Sequence, residues 1–123
     1  MAFTIESDSK KQVVEVKVSG LLNQKIRKEI LLTVAGQLRI NNFSKVIIDV
    51  TASVFDPDET MIGAWDLANY IRDIGVNPKV RWAFIYKDGE SHRKYFEKVA
   101  EKEGLSIRYF KNRNNAIEWL AAP

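Results

Sequence analysis

The chain holds no cysteine, one histidine, three prolines and six glycines in 123 residues. Without cysteine there are no disulfides, no thiol catalysis and no thiolate-held metal. The glycines, at 20, 36, 63, 75, 89 and 104, never fall into GxGxxG or P-loop spacing, so no nucleotide-phosphate fingerprint is present. His92 is flanked by Ser91, Arg93 and Lys94, with no nucleophile and orienting acid at a recognisable spacing. Long apolar runs are lacking too. Ile30-Leu31-Leu32 and Val46-Ile47-Ile48 are far below the roughly 20 residues of a membrane-spanning helix. The opening Met1-Ala2-Phe3-Thr4-Ile5-Glu6 shows no basic stretch leading into an apolar one, which predicts a soluble, cytoplasmic chain. With 46% hydrophobic and 28% charged residues and no repeat or Pro/Gly-rich linker, residues 1–123 are expected to form a single domain.

What is present is an alternation of short apolar runs with amphipathic stretches. Residues 3–7 and 12–19 read as an antiparallel hairpin, with Val14, Val16 and Val18 alternating with Glu15 and Lys17. From Asn23, a good N-cap, Ile26, Ile30, Val34 and Leu38 recur every four residues and predict a helix ending near Asn41-Asn42. Residues 45–50 and 80–86 are strand-like and apolar enough to be covered on both faces. Between them, Asp56 as N-cap, Pro57 at the first helical position and Glu59 two residues on specify a second helix that stops at Gly75. Its inward stripe is Ile62, Trp65, Leu67, Ala68, Ile71 and Ile74. Met61 and Tyr70 make it apolar nearly all round, so something is expected to cover its second side. A third helix is predicted from about Gly89 to Lys102, a last strand over 105–110 and a closing helix over 114–121. This order predicts an α/β fold: a mixed, mostly parallel sheet of about five strands with about four helices. Ligands of such sheets sit beyond the carboxyl ends of the strands, here Thr51 to Asp58, Lys87 to Ser91 and Lys111 to Asn115.

The run Val46-Ile47-Ile48-Asp49-Val50-Thr51-Ala52-Ser53-Val54-Phe55-Asp56 resembles the aliphatic strand, Asp, small-residue and Phe segment that leads into the second helix of STAS domains. The ending Ile107-Arg108-Tyr109-Phe110, followed by Asn115-Ala116-Ile117-Glu118-Trp119-Leu120, resembles that of small stand-alone SpoIIAA-like bacterial proteins. The resemblance extends over about residues 3 to 121 and implies a SpoIIAA-like fold and a non-enzymatic, anti-sigma-factor-antagonist-like module that binds a protein partner. Such antagonists carry a phosphorylatable serine at the start of that helix, whose phosphate breaks binding to a partner kinase. The matching positions here are Asp56, Pro57 and Asp58, followed by Glu59, and none bears a hydroxyl. A partner surface at this place would hold permanent negative charge where the family gains it by modification. The nearest hydroxyls are Ser53 and Thr60.

The candidate partner or ligand surface is therefore Thr51, Ser53, Asp56, Asp58, Glu59, Met61, Ile62 and Trp65. Asp56 and Glu59 also have an ordinary explanation, since carboxylates at a helix N-terminus satisfy free N–H groups and complement the dipole. Asp49, Asp56, Asp58 and Glu59 lack the spacing and glycine of a calcium loop, so neither a metal nor any other cofactor is expected. Arg93, Lys94, Lys98 and Lys102 interleave with Glu90, Glu97, Glu101 and Glu103, the pattern of a solvated helix and not of a nucleic-acid face. Two alternatives stand beside the protein partner or self-association. One is a small hydrophobic or lipid ligand lying between the second and third helices and the sheet, as in the similar CRAL-TRIO fold. The other is a hydrolase with Asp56 or Asp58 as base and His92 as acid. The net charge of +3 is unevenly spread. Residues 1–48 carry 8 basic and 4 acidic side chains, 49–73 carry 1 and 6, and 74–123 carry 10 and 6, giving +4, −5 and +4. The acidic segment coincides with the candidate surface.

Overall fold

The computed structural model describes residues 3–55, 61–87 and 94–123. The hairpin comprises β1 (Phe3–Asp8) and β2 (Val13–Leu22), and its turn is closed by the Asp8 carboxylate, which accepts the N–H groups of Lys10 and Lys11 at 3.0 and 3.2 Å. Helix α1 (Gln24–Asn41) begins as predicted: the Asn23 side chain accepts the Ile26 N–H at 2.9 Å. It ends on Asn42 in the left-handed conformation, which asparagine tolerates. Then follow β3 (Lys45–Phe55), α2 (Met61–Asp73), β4 (Arg81–Ile85), α3 (Lys94–Lys102), β5 (Ser106–Phe110) and α4 (Arg113–Ala121). Asn112 caps α4 by accepting from the N–H groups of Asn114 and Asn115. The predicted capping residues Asp56, Pro57 and Glu59 lie outside the described residues.

All five strands form one sheet in the order β1-β2-β3-β4-β5, antiparallel between β1 and β2 and parallel elsewhere. The expected mixed, mostly parallel α/β architecture is the observed one. Period-two alternation sorts side chains between two layers. Val14, Val16, Val18, Val46, Ile48, Trp82 and Ile107 face α1, α2 and α3 in the main core, where they meet Ile30, Val34, Leu67, Ile71, Phe96 and Val99. Val13, Ile47, Ala83 and Ile85 face Ala116 and Leu120 of α4 in a smaller one.

Two strand ends run well past the sequence-based expectation, and both concern the candidate site. Strand β2 runs three residues past Ser19, and β3 five residues past Val50. Strand β4 accompanies β3 only as far as the Asp49–Ile85 pair, so the last part of β3 is paired with β2 alone. Between Lys17/Asp49 and Ser19/Ala52 the register slips, two residues of β2 spanning three of β3. The β3 bulge is held by Asp49, whose Oδ1 accepts both the Thr51 N–H at 2.9 Å and the Thr51 hydroxyl at 2.7 Å. Beyond it the two strands continue as a parallel ribbon that projects from the sheet.

Candidate functional site

The ribbon delivers the chain to the candidate surface. Past the bulge, Ser53 and Leu22 turn to the α1–α2 side and are buried, and their neighbours Val54 and Leu21 turn to the other side. Leu21 and Val54 are register partners, 53% and 64% exposed. Helix α4 packs chiefly on β4 and β5 and leaves this end of the sheet uncovered. The result is an apolar pair, side by side, at the ribbon tip, with Val54 two residues in sequence before the acidic segment 56–59. Neither residue was among the sequence candidates. Both lie beyond the strand ends that the sequence pattern gives, at Ser19 and Val50, and nothing in a strand's spacing says whether a helix covers the face it presents.

Of the sequence candidates, the structure places Thr51, Ser53 and Trp65. Thr51 is half-buried and its hydroxyl is committed to Asp49. Ser53 is 8% exposed and donates its hydroxyl to the Val18 carbonyl at 3.2 Å, bracing β3 against β2. Trp65 is half-buried against the main core, as is Tyr70, whose ring lies 5.4 Å from the Lys28 ammonium of α1. For these two residues the apolar excess of α2 is covered within the fold, since α2 packs between α1 and α3. Met61 and Ile62 open α2, but their side chains are outside the described set. Asp56, Asp58 and Glu59 are outside it as well, and so is His92, which leaves the hydrolytic reading without placed residues.

The first turn of α2 is fixed from α1. The Gln24 amide donates to the Gly63 carbonyl at 3.0 Å and to the Asp66 carboxylate at 2.9 Å, and the Lys28 ammonium reaches the same carboxylate at 2.8 Å. Hydrogen bonding from Lys28, then from Gln24, holds the Asp66 carboxyl below the ordinary carboxylate range. A carboxyl whose value is lowered by folding stabilises the fold above its unfolded value, and that contribution is lost as the pH falls through the folded one. The pair is solvent-exposed, so Asp66→Asn is expected to cost no more than about 0.5 kcal/mol at pH 7. The gap should narrow as the pH falls below the unfolded carboxyl value of about 4 and close only below the lowered folded value, where the wild-type carboxyl also becomes neutral. Urea midpoints at the two pH values check this; an undiminished gap in acid would assign the effect to the hydrogen bond and not to the charge.

Behind this surface, among Leu22, Arg27, Ile30, Ile48, Leu67 and Phe84, lies a largely apolar cavity of about 40 Å³, with Arg27 its one charged lining residue among those described. Small-molecule sites are typically about 300 to 1,000 Å³. Among the described residues, a void of this size takes a few waters.

No protein-family model and no curated protein sequence matches the chain. Solved structures do. An anti-sigma factor antagonist from Mycobacterium paratuberculosis superposes with a TM-score of 0.62 at 14% identity, over 98% of this chain and 96% of that one. The anti-sigma factor antagonist SpoIIAA in its unphosphorylated form gives 0.57 at 13% identity, over 99% and 100%. An uncharacterised protein from Shewanella loihica with a SpoIIAA-like fold gives 0.57 at 20% identity, over 98% and 93%. The chain has the SpoIIAA-like fold, as its resemblance to STAS domains implied. No helix among the described residues is long and apolar enough to cross a membrane.

Proposed function

We propose that the chain is a single-domain, cytoplasmic, non-enzymatic interaction module of the STAS type. It binds a protein partner, an anti-sigma factor by analogy with two of its structural neighbours, where the β2–β3 ribbon meets the start of α2. The observation that carries this reading is the Leu21–Val54 pair: two large aliphatic side chains exposed together on a projecting ribbon, close in sequence to a segment rich in carboxylates. An apolar centre flanked by charge is the composition of a protein-binding surface. Asp56, Asp58 and Glu59 supply the charge, and no serine stands where the antagonists are phosphorylated.

Affinity capture of the tagged chain from extracts of its source organism, with mass spectrometry of what is retained, tests the reading. The wild type is expected to retain an anti-sigma factor. Leu21→Asp with Val54→Asp, and separately Asp58→Lys with Glu59→Lys, are each expected to reduce its recovery at least about tenfold, as for residues at an interface centre. Leu21 and Val54 are solvent-facing, so the far-ultraviolet dichroism of that variant should match the wild type. Equal recovery by folded variants would place the partner surface elsewhere.

A further inference from the structure

The sheet ends at β5, and no described strand pairs with its outer edge. Along that edge runs an open groove of about 590 Å³. One wall is α3, which presents Glu97 and Glu101; the other presents Arg81, Arg108 and Trp119. The strand itself produces this asymmetry. Tyr109 turns to the α3 side, where its ring stacks on Phe84 at 4.9 Å. Arg108 turns to the α4 side, where it and Arg81 lie 5.6 and 5.7 Å from the Trp119 ring.

The polarity of the edge is also visible. The Phe110 carbonyl accepts the Tyr86 N–H, so the even-numbered residues of β5 direct their main-chain groups toward the sheet and the odd-numbered ones outward. The outward Tyr109 N–H donates to Glu97 Oε2 at 2.9 Å. A carboxylate on α3 thus occupies the position that the carbonyl of an added strand would take.

We propose that the β5 edge is a docking site for an extended segment of a partner protein, added as a sixth strand. This segment carries basic side chains at alternate positions, over Glu97 and Glu101, and acidic ones between them, over Arg108. The commitment to this chemistry comes from charge complementarity. A strand shows its side chains to opposite faces with a period of two, and here the two faces bear opposite charges. A second copy of this chain is the poorer occupant. Pairing β5 with β5 about a two-fold axis normal to the sheet keeps each face on its own side, setting carboxylates against carboxylates and Arg108 against Arg108. On docking, an incoming carbonyl takes the Tyr109 N–H, and the released Glu97 carboxylate faces the incoming cation. The site lies at the opposite end of the strand order from β1 and does not depend on the ribbon-tip reading.

Titration of the isotope-labelled full chain with two octapeptides of equal composition, (Lys-Glu)₄ and (Lys-Lys-Glu-Glu)₂, tests the proposal by amide chemical shifts. The alternating peptide is expected to shift the Ile107 and Tyr109 amides and to bind about tenfold more tightly than the blocked one. Glu101→Lys and Arg108→Glu, both at exposed positions, should each weaken it by about the same factor. The double variant should bind no more tightly than either single one, because Glu97 and Arg81 keep their signs and leave each wall with mixed charge. No shift at β5, equal response to the two peptides, or shifts that track protein concentration without peptide would overturn the proposal, the last by showing that a second copy fills the edge.

Discussion

Trp82→Ala is expected to lower the free energy of unfolding by about 3–5 kcal/mol, the range for truncating a large aromatic side chain in a core. Trp82 is 1% exposed. It sits on β4 between its register partners Val46 on β3 and Ile107 on β5, on the face covered by α1, α2 and α3. Removing the indole leaves a void at the level where sheet and helices are most completely buried, walled by strands that cannot close on one another without breaking their ladders. For a domain with a total stability of about 5–15 kcal/mol, that loss brings some of the population to the unfolded state at room temperature. Trp82→Phe, which retains an aromatic filling, should lose only about 1–2 kcal/mol. Urea unfolding followed by dichroism checks both, with the slope expected unchanged and the midpoint moved. A loss below about 1 kcal/mol for the alanine variant would mean the void collapses and that this layer is softer than its burial indicates.

Trp82 also shows why most of this fold is legible in the sequence. Its neighbours at 80, 83, 84 and 85 are apolar, a run that only a strand covered on both faces tolerates. Helix α1 is equally plain, since Asn23 and the four-residue spacing from Ile26 to Leu38 define both its start and its buried side. The ribbon is where the reading falls short. Sequence patterning ends β2 at Ser19 and β3 at Val50, because Gly20, Thr51, Ala52 and Ser53 do not read as strand. These residues stay in the ladder because each strand still has the other as a hydrogen-bonding partner, and Gly20 permits this by adopting a positive φ of 78° that other residues resist. That pairing joins positions 33 apart in the chain and follows from the bulge, which shifts the register by one residue. Spacing within one strand carries no trace of it. The same limit applies to α2. Its all-round apolar character is visible as sequence, but only the packing shows that α1 and α3 take up Trp65 and Tyr70. The acidic turn is visible as composition alone, because Asp56, Asp58 and Glu59 lie outside the described residues.

Ser53→Asp, the usual imitation of a phosphoserine, is expected to destabilise the chain by about 3–5 kcal/mol and not to act as a switch. The Ser53 hydroxyl is buried and donates to the Val18 carbonyl at 3.2 Å. A carboxylate has no proton to give at neutral pH, so it would set a charge and its lone pairs against a carbonyl oxygen in a site closed to water. A phosphate brings more charge to the same place. Thr51 is no better suited, because its hydroxyl already donates to Asp49 and a phosphate there would face that carboxylate. Ser53→Ala, by contrast, removes one neutral hydrogen bond and should cost about 1 kcal/mol. The two roles separate cleanly in paired measurements of urea stability and partner capture. If Ser53 is structural, as its geometry requires, Ser53→Asp loses stability and capture together and Ser53→Ala keeps most of both. A Ser53→Asp variant as stable as the wild type, yet unable to retain the partner, would instead make Ser53 a regulatory site. Under the proposed function, the sequence carries fixed carboxylates at 56, 58 and 59 where the antagonists carry a serine, and a module built that way holds one binding state in place of two.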